Sequence, residues 1–343
     1  HPSWPSRNTD RLDHRRWHRT FLALIITSNH FPRPNNEYIR HGGDDLFHFA
    51  LPLYGTTLVT FASSYVDRFL VLFFAGASAL GIYSPVVTTS GILGLFSTGM
   101  TAALVPQFSE LHIRKGDQGL QQAARIASRY FFIIFLPLSV GLAITAAPTI
   151  TLFAGDPYSE GSVPLAILSI GLGLTGASTI INSLLLALGR TKVLLVASLV
   201  GILADIALAP LISLLSVTGA ALGRDALLAG SLLVSWAALG RKWSKRSVDL
   251  KAFYEVLMCC IVEAIVVIAI ELIWYEKYLL FFYIGMGLVA YLVALRTLGI
   301  VNADDIGLLH RFVPSKLRIL VSIFGWLMAT HTHATPSPSK IPS

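Results

Sequence analysis

Residues 47–75 read "FHFALPLYGTTLVTFASSYVDRFLVLFFA", a run whose only acid and only arginine are the adjacent Asp67 and Arg68. As a helix rising 1.5 Å per residue, such a run is long enough to cross a hydrocarbon core of about 30 Å. It does not alternate apolar and polar residues as a barrel strand would. Seven more long apolar runs follow, near 79–104, 128–152, 162–188, 192–215, 217–239, 253–275 and 277–298. They are continuous and rich in Leu, Ile, Ala and Gly, so the expected fold is an all-α, polytopic transmembrane helix bundle of about eight spans.

Composition agrees with that reading. Of 343 residues 54% are hydrophobic and 13% charged, with a mean hydropathy of +0.66, well beyond what a water-soluble core requires. Cys259 and Cys260, the two cysteines of the chain, are adjacent inside an expected span, which argues against a disulfide framework or a thiolate metal site. Neither a phosphate loop, a nucleophile motif nor a metal-ligand spacing occurs, so no cofactor and no metal is expected. His331 and His333 lack a third ligand nearby and read as part of a Pro/Ser-rich tail.

The formal charge of +7 is informative by position. Residues 1–45, 105–129, 189–192, 240–251 and 296–343 hold nearly all of the basic residues. The intervening loops "GASA", "AGDPYSEG", "SVTG" and "YEK" hold one, Lys277. Basic loops stay on the cytoplasmic side, so the expectation is a multi-pass protein of the cytoplasmic membrane with both ends cytoplasmic. No basic patch interleaved with aromatics points to nucleic acid. The expected organisation is a cytoplasmic segment (1–45), a six-helix lobe (46–240), two further helices (241–300) and a cytoplasmic tail (301–343). The lack of an initiator Met leads to the expectation that the chain begins inside a longer protein.

Polar residues within spans carry the functional reading. At about 100° per residue, Thr56, Thr57, Thr60, Ser63, Ser64, Asp67 and Arg68 share an arc of about 140° on the first helix. Hydroxyls alone serve as interhelical packing contacts, but the charged pair favours a water-filled cavity. The fourth helix repeats the pattern with Thr175, Ser178, Thr179 and Asn182. Asp205, Arg224, Asp225 and Glu263 lie in other spans. An unpaired charge at the bilayer centre costs about 3 kcal/mol on insertion scales, so these residues are expected to line one cavity. Pairings such as Asp67 with Arg224, or Asp225 with Arg68, would serve the fold, leaving Asp205 and Glu263 either protonated or as ion-coupling candidates. The substrate candidates are therefore Asp67, Arg68, Arg224, Asp225, Asn182, Thr60 and Ser63. Pro52, Pro85, Pro137, Pro148, Pro164 and Pro210 are expected to bend or end spans. Gly171, Gly173 and Gly176 read as sites of close helix packing. An internal echo aligns "FAGASALGIYSPVVTTSGILGL" (74–95) with "FAGDPYSEGSVPLAILSIGLGL" (153–174).

These landmarks, with "GMTAALVPQFSELHIRKGD", "LLALGRTKVLLVASLVGILADIALAPLISLLSVTGAAL" and the closing "LGIVNADDIGLLHRFVPSKL", resemble polysaccharide flippases of the multidrug/oligosaccharidyl-lipid/polysaccharide exporter superfamily. The resemblance covers roughly residues 46–320. It implies alternating-access flipping of a lipid-linked oligosaccharide, with membrane lipids around it and no enzymatic activity. It also implies that Arg68 and Arg224 meet the pyrophosphate of that lipid. Members usually have two six-helix lobes, and this chain matches a second lobe plus two helices, which implies a missing N-terminal lobe or a second copy as partner. The alternatives are a cation-coupled multidrug exporter, a membrane glycosyltransferase or polymerase of the same pathway, and a scaffold without transport.

Overall fold

The computed structural model describes residues 36–240, 243 and 246–299, with side chains from Ala50 onward. The segment "FLALII", the surface helix expected at 314–329, His331, His333, most of the closing motif and Arg241, Lys242 and Lys245 lie outside the described residues. Two units part between Ala50 and Leu51, and of the first only the helical backbone of residues 36–50 is described. Everything below concerns the second.

Among the described residues the chain is helical almost throughout and contains no strand. A single helical stretch runs over Asn36–Ile144, but Gly76 (φ 85°, ψ 179°) and Gly116 (φ 64°, ψ −164°) leave helical geometry inside it. Unbroken, its apolar part of 95 residues would be roughly 140 Å long, several bilayer thicknesses. The two glycines divide it into α1 (36–75), α2 (77–115) and α3 (117–144). Then come α4 (Ala146–Phe153), α5 (Ser162–Thr175), α6 (Ala177–Ala187), α7 (Thr191–Leu208), α8 (Pro210–Leu215), α9 (Val217–Leu239), α10 (Leu250–Ile273) and α11 (Leu280–Thr297). Among the described residues five helices can cross a membrane by length and composition, or six when the pair flanking Gly176, bent by 45°, counts as one span. The glycine breaks cut the first of them into three legs, and the protein is a multi-pass α-helical membrane bundle.

The breaks fall at particular residues for physical reasons. Pro52, Pro85 and Pro137 sit inside helices without ending them, as does Pro106. Pro164 and Pro210 occupy first turns, where a missing N–H costs nothing, and Pro148 follows the break at Thr145. Gly76 and Gly155 are matched positions of the echo, and both adopt positive φ with ψ near 180° (105° and 163° at Gly155). That region is open in practice to glycine alone. The matched pair Val86 and Leu165 is buried in one cluster with Ile150, Leu168 and Ala221. The two matched segments thus share a glycine turn geometry and pack against one another. Gly173 and Gly176 lie where a Cβ would strike Ser139 and Phe131, as close packing requires.

The two C-terminal helices pack on α3. Ser128 Oγ accepts from Asp249 N (2.9 Å), Arg125 pairs with the Asp249 carboxylate (3.3 Å), and Tyr291 donates to the Ile133 carbonyl (2.7 Å). At the other end Lys277 pairs with Asp156 (2.8 Å).

Gly76→Ala and Gly155→Ala each force an L-residue into the glycine region and are expected to cost about 1–3 kcal/mol. Gly91→Ala, inside a helix with open space around it, is the neutral control. Thermal unfolding in detergent reads the difference.

Candidate functional site

On α1 the expected stripe divides. Ser63 and Asp67 are buried, whereas Thr57, Thr60, Ser64 and Arg68 are exposed. The hydroxyls find acceptors on their own helix one turn back: Thr60 donates to the Thr56 carbonyl (2.9 Å), Ser63 to the Val59 carbonyl (3.0 Å) and Ser64 to the Thr60 carbonyl (3.2 Å). Such bonds satisfy the hydroxyls without recruiting another helix.

Asp67 is where helices meet. Its Oδ2 accepts from Arg224 Nη1 of α9 at 2.8 Å and from the Tyr83 hydroxyl of α2 at 2.6 Å. The Tyr83 ring is wholly buried beside Val71, Ala79, Ala209, Ile212 and Val217, so α1, α2, α8 and α9 close around this point. Arg224 differs from its partner in that 29% of its side chain is open. It makes one hydrogen bond to Asp67, and a guanidinium has five N–H donors, so most of its binding capacity is unspent there.

Asp205 of α7 is a second buried acid, packed beside the residue that precedes Arg224. Its Oδ2 has no hydrogen-bond partner. Its Oδ1 lies 2.6 Å from where a Cβ on Gly223 would be. Arg68, next to Asp67 on α1, is exposed.

The other expected residues lie elsewhere. Asp225 does not pair with Arg68: its carboxylate packs against Gly171 of α5, at a shallow cavity formed by Ile167, Ile170, Leu174 and Ala229, with Oδ1 unbonded. One residue along a helix turns a side chain by about 100°, so Arg224 and Asp225 face different neighbours. Asn182 accepts from Ser235 Oγ (3.0 Å) and links α6 to α9, so the second stripe includes an interhelical contact. Glu263 of α10 is buried where α3 and α11 bring Gly141 and Gly287 against it, and its Oε2 is unbonded. Its packing neighbours are not those of the Asp67 cluster. The expectation of a single cavity for all the intramembrane charges is corrected accordingly.

Tyr83 escaped the sequence reading. Its one available signal was a phenol within the apolar run "ALGIYSPVV", since a buried tyrosine hydroxyl normally finds a partner.

Comparison with known proteins adds the following. The family described as "Polysaccharide biosynthesis protein" matches residues 18–164. The matched segment is less than half of the chain. The segment includes Asp67, Arg68 and Tyr83. No curated protein matches the chain. Two solved structures are similar. One is a multidrug resistance MATE family transporter of the MOP superfamily in an outward-facing conformation, at 14% identity and a TM-score of 0.43, covering 83% of this chain and 77% of the other. The second is a MOP superfamily transporter from Pyrococcus furiosus Vc1 (DSM3638), at 16% identity and a TM-score of 0.44, covering 82% of this chain and 68% of the other.

A methyl group at position 223 must displace the Asp205 carboxylate. Gly223→Ala is therefore expected to destabilise the protein by about 1–3 kcal/mol, the usual cost of overpacking. Combined with Asp205→Ala, it should cost less than the sum of the single changes, as a double-mutant cycle of thermal stability would show.

Proposed function

We propose that this chain works in moving lipid-linked oligosaccharide or polysaccharide precursors across the cytoplasmic membrane by alternating access. The observation that carries the reading is the partly open Arg224, held through one nitrogen by a buried Asp67, with Arg68 exposed next to Asp67 on α1. Guanidinium groups recognise phosphate through paired N–H donors, and a lipid pyrophosphate offers charge for more than one of them. The match to the polysaccharide biosynthesis family favours a sugar-bearing lipid as cargo. In this reading the headgroup meets Arg68 and Arg224 while the polyprenyl tail stays in lipid, and both chain ends are cytoplasmic. A second lobe, from elsewhere in the protein or from a second copy, closes the other side of the path.

The test is transbilayer movement of a labelled polyprenyl-pyrophosphate oligosaccharide in proteoliposomes, followed by its accessibility to an impermeant lectin. Arg224→Gln is expected to lower the rate about tenfold or more, since a charge-assisted hydrogen bond is worth about 1.5–3 kcal/mol. Movement unchanged by loss of both Arg68 and Arg224 would overturn the reading.

A second reading, cation-coupled export, is favoured by one observation: Asp205 and Glu263 are buried carboxyl groups, each with an oxygen that has no partner. If either carries a coupling ion, Glu263→Gln or Asp205→Asn removes the dependence of transport on a proton or sodium gradient. A parent protein indifferent to both gradients would sink that reading.

A further inference from the structure

We infer that Tyr83 is a positioning residue that keeps Arg224 available to an anionic headgroup. The inference rests on the headgroup reading above and assigns a role to a residue that this reading does not use. Its basis is the convergence of two donors on one oxygen: the Tyr83 hydroxyl and Arg224 Nη1 both donate to Asp67 Oδ2, at 2.6 and 2.8 Å. A carboxylate facing an arginine without competition tends to engage it through two parallel bonds, one to each oxygen. Such a fork would tie up the paired donors that recognise phosphate. Tyr83 donates to the same oxygen that Arg224 engages, so the two donors share it, Arg224 is held at one nitrogen and its other donors remain for a ligand.

The hydroxyl is not needed for packing. The Tyr83 ring lies among Val71, Ala79, Ala209, Ile212 and Val217, where phenylalanine would fill the same space. Burying a hydroxyl among apolar side chains is unfavourable unless it is bonded, and the bond it makes is to Asp67. The tyrosine also spans the break at Gly76, from α2 back to α1, so it fixes Asp67 against the two arms of one hairpin. The carboxylate is thereby held still on one side and the guanidinium left partly open on the other.

Removing the Tyr83 hydroxyl and removing the Asp67 charge should then act with opposite signs, which a purely structural role would not produce. Tyr83→Phe frees Asp67 to grip Arg224 with both oxygens and weakens ligand binding. Asp67→Asn keeps an acceptor of the same shape but removes the competing charge, and tightens binding. The experiment is calorimetric titration of the purified protein in nanodiscs with inorganic pyrophosphate, comparing the parent, Tyr83→Phe, Asp67→Asn and Arg224→Gln. The expected result is a dissociation constant raised about three- to tenfold in Tyr83→Phe and lowered in Asp67→Asn, within the range of one hydrogen bond to a charged group. A parent and an Asp67→Asn variant that both fail to bind overturn the headgroup reading and the inference together. A parent that binds and loses binding in Arg224→Gln, but keeps the same constant in Tyr83→Phe, overturns the inference alone. If Tyr83→Phe does not fold, the sign in Asp67→Asn decides: tighter binding supports the role, unchanged or weaker binding refutes it.

Discussion

An ion pair inside a bundle that must cross lipid constrains everything near it. Asp67 cannot face hydrocarbon at an acceptable cost, so α1 turns it inward, and Arg224 and Tyr83 have to arrive at the same point from α9 and α2. The hairpin at Gly76, which brings residues 67 and 83 level with each other, is thereby part of the polar site as well as of the topology. Because Arg224 is only partly enclosed, the pair holds the helices while part of the guanidinium stays open. Under the proposed function, fold and function use the same residues.

Three other acids within the helices follow a common pattern. Asp205 lies against Gly223, Asp225 against Gly171, and Glu263 against Gly141 and Gly287. In each case the facing helix has given up its side chain, which lets backbones approach and makes room for a carboxyl group. Small residues at helix crossings are how membrane bundles gain packing contacts in a medium as apolar as their own side chains. Here they also house polar groups, which explains how one bundle accommodates several acids with one intramembrane base enclosed among them. The glycines that the sequence suggested were packing devices are, at Gly171, also the seat of an acid.

Much of this was legible beforehand. Continuous apolar runs set the helices, because in lipid every backbone group must bond within its own segment. The breaks at Gly76 and Gly155 were marked by the Phe-Ala-Gly echo, although their positive φ was not. The pairing of Asp67 with Arg224 followed from charge neutralisation. The partner of Asp225 did not, since whether neighbours 224 and 225 reach the same or different helices depends on rotation about α9. Nor did the division of the α1 stripe, whose hydroxyls at 57, 60 and 64 face outward and bond to their own helix, while Ser63, bonded in the same way, is buried.

The sequence by itself determined an all-α membrane bundle, the order of its apolar legs, and the residues too polar to face lipid. Those properties depend on local composition and on the free energy of placing each segment in hydrocarbon. Only the tertiary structure decided that Asp67, Tyr83 and Arg224 meet, that Asp205 lies against Gly223 and Glu263 against other helices, and that Arg224 keeps part of its surface open. Those outcomes depend on helix rotation and on contacts between residues as far apart in sequence as Asp67 and Arg224, which no local pattern encodes.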